Sequence, residues 1–91
     1  MKHFLFTCLM FVVVLSLGQS TVSTIVHNGL TRSYRIYVPN SYTGNSAVPL
    51  LFNLHGYTSN ASQQEFYGDF RDIADTANFI LVHPDGTLDP N

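Results

Sequence analysis

Apolar and polar positions along the chain fall into distinct patterns, and each pattern predicts a different element. Phe4 to Leu17 is an almost unbroken apolar run, interrupted only by Thr7, Cys8 and Ser16. Ser23 to Val26 is a short β-prone run. Arg32 to Val38 alternates, with Arg32, Tyr34, Ile36 and Val38 on one face and Ser33, Arg35 and Tyr37 on the other. A period of two is the mark of a strand. Between these two runs stands Asn28-Gly29, a pair that tolerates the positive φ both central residues of a tight hairpin turn need. The pattern predicts an antiparallel hairpin, partly exposed on both faces and ended by Pro39.

The second half reads differently. Asn40 to Val48 is a polar loop. Pro49 then introduces Leu50-Leu51-Phe52-Asn53-Leu54, which barely alternates and predicts a strand buried on both faces. Ser62-Gln63-Gln64-Glu65 fits a capping box, with Ser62 bonding forward and Glu65 bonding back. Behind it Phe66, Phe70, Ile73, Ala74 and Ala77 share one helical face. Gly68 is expected to break this helix in two, because glycine costs about 1 kcal/mol inside a helix. Asp69, Asp72 and Asp75 form a solvated edge, and Asn78 is the expected stop. Phe79 to Val82 is a second buried strand, closed by Pro84-Asp85-Gly86. Strand, helix and strand in this order predict a right-handed βαβ crossover. There is no internal repeat, low-complexity segment or linker.

The first apolar run has the organisation of an export signal. Lys2 and His3 supply a positive end, and Gly18-Gln19-Ser20 follows the apolar stretch. Gly18 and Ser20 are small, as signal peptidase requires at minus three and minus one of a cut after Ser20. A membrane-spanning helix needs about 20 apolar residues, and this run is shorter, so no stable membrane anchor is expected. Cys8 lies inside the run, where a lipidated cysteine would follow it. The expected organisation is a signal peptide at 1–20 and a secreted domain, extracellular or periplasmic, at 21–91.

Charge and cysteine content narrow the function classes. Beyond residue 20, three arginines stand against six acidic residues and no basic patch forms, so a nucleic-acid partner is not expected. The only cysteine is Cys8, which leaves no disulfide for the domain. His27, His55 and His83 lack metal-ligand spacing, so zinc is not expected. A secreted domain of this size without staples is marginal alone. The turn-rich tail Gly86 to Asn91 follows an apolar strand directly. Both features predict part of a larger domain.

In an open parallel sheet, sites form beyond the carboxyl ends of the strands. Two such ends are visible, Leu54-His55-Gly56-Tyr57 and Val82-His83-Pro84-Asp85-Gly86. Gly56 permits a sharp turn, and the amides after it are candidates to receive a developing oxyanion. Arg32-Ser33-Tyr34-Arg35-Ile36-Tyr37-Val38-Pro39, Pro49 to Gly56 and Phe79 to Gly86 together resemble the opening of the secreted α/β-hydrolase esterases. The nearest group is the polyhydroxybutyrate depolymerase and feruloyl esterase-like family. The resemblance spans residues 23 to 86. It implies the α/β class, specifically the N-terminal part of an α/β-hydrolase fold: a hairpin, then a βαβ unit, stopping before the nucleophile elbow. It also implies a Ser-His-Asp hydrolase of carboxylic esters that needs no cofactor, with the backbone N–H of Tyr57, next to Gly56 and supported by His55, as an oxyanion donor. Tyr57 stands where the family often has cysteine, and His83 where an aromatic residue is common.

No Gly-x-Ser-x-Gly elbow is present. Gly44-Asn45-Ser46-Ala47-Val48 ends on the wrong residue and precedes a strand that the elbow must follow. Since the chain order in this fold is Ser, Asp or Glu, then His, none of the triad is expected before Asn91. His55 is then expected to orient its loop by hydrogen bonding, and His27 to be exposed. His83 either lines a cleft or packs at a strand end. Asp85 serves the Pro-Asp-Gly turn or acts as a site carboxylate. Asn60-Ala61-Ser62 is a glycosylation sequon. The expected partner is an ester substrate, feruloyl or acetyl esters of plant polysaccharide or a polyester, and oligomeric state stays open. The alternatives are a non-catalytic secreted carbohydrate-binding module, with Tyr34, Tyr37 and Tyr42 as a stacking face, and an inactive fragment.

Overall fold

The computed structural model describes residues 19–88, so the apolar segment of the expected signal lies outside the described residues. Six elements follow in order: β1 (Gln19–His27), β2 (Leu30–Val38), β3 (Leu50–Phe52), α1 (Ala61–Tyr67), α2 (Arg71–Ala77) and β4 (Ile80–Pro84). The four strands form one sheet in the order β1-β2-β4-β3. β1 and β2 are an antiparallel hairpin in register from Gln19 opposite Val38 to His27 opposite Leu30. At the turn Asn28 and Gly29 have φ of 50° and 77°, the positive values the sequence predicts. β4 pairs antiparallel with β2 and parallel with β3, and the two helices connect the parallel pair.

β1 begins earlier than the β-prone run suggests. It includes Ser20, which lies opposite Tyr37 and donates from Oγ to Glu65 Oε2 at 2.6 Å. The cut expected after Ser20 would separate this donor from the strand.

Both helices cover one face of the sheet. Leu81 and His83 of β4 are fully buried beneath them, and Tyr37 is nearly so. Tyr37, Ala74 and Leu81 form the apolar centre, with Phe79 packed against it. The Tyr37 hydroxyl donates to Asp75 at 2.7 Å, and burial together with this carboxylate pushes its pKa up to about 12. The supposedly solvated acidic edge thus has one member tied to the sheet.

The opposite face is open among the described residues. Ile25, Tyr34, Ile36, Leu50, Phe52 and Val82 help to line a broad concavity of about 460 Å³ there. This corrects the expectation that β3 is buried on both faces, since Leu50 and Phe52 are 52% and 60% exposed. β3 is an edge strand of three residues, and its outer face meets no element among the described residues.

The helix expectations are corrected in two further respects. The cap of α1 is Asn60, whose Oδ1 accepts from Gln63 N–H at 2.9 Å, and Ser62 plays no part in it. Asn60 is exposed, with the rest of its sequon beside it on α1. Glu65 does not bond back to the cap but turns to the sheet and is 5% exposed. The apolar stripe is also displaced, with Phe66 and Ile73 facing outward and Ala61, Glu65 and Ala74 facing the sheet. Small alanines allow close approach, and the captured Glu65 sets the rotation of α1. The expected break does occur at Gly68, whose N–H closes α1 on Gln64 O. Asn78 stops α2 in the left-handed conformation, φ 60°.

Glu65 accepts from Arg35 Nη2 at 3.2 Å and lies 3.6 Å from Arg71 Nη1. Losing a buried charge-assisted acceptor costs about 1–3 kcal/mol, so Glu65→Ala should lower stability by that amount. Leu81→Ala, at a fully buried position of β4, should cost about 2–5 kcal/mol. Urea unfolding followed by circular dichroism measures both. A Glu65→Ala midpoint unchanged from the parent would show that the carboxylate is dispensable.

Candidate active site

The loop from Leu54 to Asn60 leaves the carboxyl end of β3 and enters α1. It lies next to the Asp85-Gly86 segment that follows β4, which forms no turn: β4 runs through Pro84, and Asp85 N–H still bonds Ser33 O of β2. Leu54, His55, Pro84, Asp85 and Gly86 line a shallow hollow of about 260 Å³ between the two. The sheet topology therefore brings together the two strand ends singled out in the sequence.

Tyr57 is fully exposed at the tip of this loop. The Gly56 carbonyl accepts from Ser59 N–H at 3.1 Å, closing a four-residue turn. Thr58, the third residue, has φ of 67°, while Tyr57 before it stays at negative φ, as in a type II turn. A β-branched residue at positive φ is strained by about 1–3 kcal/mol, and such strain persists only where neighbours hold it. Gly56 itself is not in the left-handed region, and a Cβ there would meet nothing within 4 Å. The positive φ of the turn expected at Gly56 is thus taken two residues later, at Thr58. Among the described residues the Tyr57 N–H donates to no protein acceptor.

His55 is held at both ring nitrogens. Nδ1 lies 2.8 Å from Gly56 O, and Nε2 lies 2.8 Å from Gly86 N. A carbonyl only accepts and an amide only donates, so Nδ1 carries the hydrogen and Nε2 is bare. The imidazole is a bridge between the two loops.

Asp85 is the second bridge. Its Oδ2 accepts from Ser33 Oγ at 2.7 Å, its Oδ1 accepts from Ala61 N–H at 2.7 Å, and its own N–H donates to Ser33 O at 3.0 Å. The Ser33 bond, and then the Ala61 bond, hold this carboxyl below its usual range against the opposing effect of burial. These contacts were not readable in the sequence. Ser33 and Asp85 are 52 residues apart, and only the pairing of β2 with β4 joins them.

His83 lies under the helices, away from the hollow. Asn53 Nδ2 donates to Gly68 O at 2.9 Å and lies 3.3 Å from His83 Nε2, while Asn53 Oδ1 accepts from Gln64 at 3.0 Å. His83 Nδ1 has no hydrogen-bond partner among the described residues and stands 3.9 Å from Glu65 Oε2. Of the two roles open in the sequence, packing is the one its full burial matches. His27 is exposed beside its turn. Tyr34 and Tyr37 project from opposite faces of β2, so they share no stacking platform.

With this geometry in place, the chain can be set beside known proteins. No protein-family model and no curated protein matches it. Solved structures do. An S-formylglutathione hydrolase from Agrobacterium tumefaciens superposes with a TM-score of 0.69 at 20% identity, covering 84% of this chain and 28% of that one. A ferulic acid esterase follows at 0.63 and 20%, covering 76% and 30%. A CE1 ferulic acid esterase from the anaerobic fungus Anaeromyces mucronatus reaches 0.55 at 21%, covering 81% and 34%. The chain has the α/β-hydrolase fold. It spans about a third of the length of these structures and corresponds to the N-terminal part of that fold, with the hairpin and βαβ unit the sequence predicts.

One pH dependence follows from His83. Burial holds its pKa below the ordinary histidine value, while nearby Glu65 acts against this and Arg35 and Arg71 reinforce it. The unfolded chain therefore takes up this proton at higher pH than the folded one. Stability is complete above the ordinary histidine range of about 6.5. It falls as pH drops from there toward the lower folded value, by at most about 1.4 kcal/mol per pH unit. His83→Gln, which binds no proton, should flatten this slope in urea midpoints taken across that range. Identical slopes in parent and variant would count against it.

Proposed function

We propose that this chain is the oxyanion-donating portion of a secreted serine esterase that hydrolyses carboxylic esters. The observation that carries the reading is the Leu54–Asn60 loop. It leaves the end of a parallel strand, is tied down on both sides, and presents a Tyr57 N–H that donates to no acceptor among the described residues. In α/β-hydrolases one of the two oxyanion donors comes from a loop after an early strand, and the other follows the nucleophile. The serine, acid and histidine would lie past Asn91. The serine would attack the ester carbonyl, the histidine would take its proton, and the Tyr57 N–H would receive charge on the carbonyl oxygen.

Feruloyl or acetyl esters of plant polysaccharide, or a polyester, are the proposed substrates. The ferulic acid esterases among the similar structures support the first class. The polyester reading rests on the resemblance of the motifs alone. Export through the segment ending at Ser20 agrees with an extracellular polymer as substrate. The carbohydrate-binding alternative has less support, because a β-sandwich module lacks the parallel β3–β4 pair joined by helices.

The test is made in the protein extended along its reading frame past Asn91, with a nitrophenyl ester as substrate. Tyr57→Pro removes only the backbone donor, because proline suits the second position of a type II turn. Its kcat should fall about 10²- to 10³-fold, the usual cost of one oxyanion donor. Tyr57→Ala should leave kcat unchanged, since the side chain is exposed. Residues 21–91 alone should show no turnover. An open frame with no Gly-x-Ser-x-Gly, or equal rates for Tyr57→Pro and parent, would overturn the assignment.

A further inference from the structure

The segment that leaves β4, Asp85 and Gly86, touches the Leu54–Asn60 loop at both of its ends. At the start, Gly86 N–H donates to His55 Nε2, and the other nitrogen of that ring holds the Gly56 carbonyl. This carbonyl belongs to the same peptide group as the Tyr57 N–H. At the far end, Asp85 Oδ1 accepts from Ala61 N–H, the first residue of α1. Asp85 cannot swing away, because Ser33 of the central strand β2 holds both its Oδ2 and its backbone N–H.

Residue 86 also has a steric reason to be glycine. A Cβ there would stand 3.3 Å from His55 Nε2 and 3.4 Å from Cε1. The ring cannot yield without lengthening one of its two hydrogen bonds. The strained Thr58 lies between the two anchor points, where a loop held at only one end would relax.

We propose that Asp85 and Gly86 are positioning residues for the oxyanion donor, clamping its loop from β4: Gly86 acts through His55 on the Gly56–Tyr57 peptide, and Asp85 through Ala61 on the loop's far end. The proposal rests on the esterase reading for its kinetic consequence, but the clamp itself is a statement about the loop. A misplacement of about 1 Å at a reacting group costs about 10²-fold in rate. Neither residue touches substrate, so the loss belongs in kcat and leaves KM unchanged.

The experiment uses the protein extended past Asn91. It combines nitrophenyl acetate kinetics with hydrogen exchange resolved by mass spectrometry over residues 54–61. Asp85→Ala and Gly86→Ala should each lower kcat about 10- to 100-fold at unchanged KM and speed exchange in that segment alone. Asp85→Asn should recover most of the loss, because its amide oxygen still accepts from Ala61 and its nitrogen can donate to the Ser33 hydroxyl. If Asp85→Ala does not fold, Gly86→Ala decides by the same readouts, since it keeps every Asp85 bond. An active parent whose variants keep full kcat overturns the clamp. So does a kcat loss with unchanged exchange at 54–61, or an Asp85→Asn no better than Asp85→Ala. If the parent hydrolyses no ester, the esterase reading fails. The clamp is then judged by exchange alone, where faster exchange at 54–61 in both variants upholds it and unchanged exchange refutes it.

Discussion

The Glu65 carboxylate, buried between α1 and the sheet, accepts hydrogen bonds from Ser20 of β1 and Arg35 of β2 and lies within ion-pair distance of Arg71 of α2. A carboxylate out of water is costly unless it is paired, and Arg35 and Arg71 stay beside Glu65 even where a cut after Ser20 removes the hydroxyl. That requirement gives α1 one rotation and one height above the sheet. The apolar contacts beneath it are few, and the helix positions facing the sheet are mainly alanines. The large apolar side chains Phe66, Tyr67 and Ile73 point the other way. Polar capture rather than a broad apolar seam therefore docks α1 here, and the Asn60 cap sets where it begins.

Where α1 begins determines the loop. Ala61 is its first residue, and the Ala61 N–H is also the group that Asp85 holds. The loop before it carries a strained threonine and an imidazole bonded at both nitrogens. Asn53, at the end of β3, applies the same logic one layer down, joining Gly68, Gln64 and the buried His83 through a single amide. The two strand ends of the hollow are thus linked by hydrogen bonds with little flexible side chain between them. Such rigidity is what preorganised stabilisation of a developing charge requires.

Much of this was legible in the chain itself, and the reasons are local. The Asn-Gly turn, the alternation of β2, the break at Gly68, the stop at Asn78 and the buried run of β4 all depend on residues within a few positions of one another. Backbone preference and periodicity carry that information. The two strand ends were recognisable only approximately, since β4 continues through Pro84 and β3 stops at Phe52, short of His55 and Gly56. The cap of α1 was misread for a related reason. Asn60 and Ser62 are both good capping residues, and local propensity does not choose between them.

What the sequence by itself determined, then, is the order and type of the elements and the class of fold they build. Tertiary structure alone decided which of their faces are covered and which side chains meet. Glu65 looked like a capping residue until β1 and β2 brought Ser20 and Arg35 to it across 45 and 30 positions. Asp85 looked like a turn former until strand pairing set Ser33 beside it. β3 looked like a buried strand, yet it lies at an edge whose outer face no described element covers. Burial and long-range hydrogen bonds are properties of the assembled sheet, and a periodic pattern records that a residue is apolar without recording what will cover it.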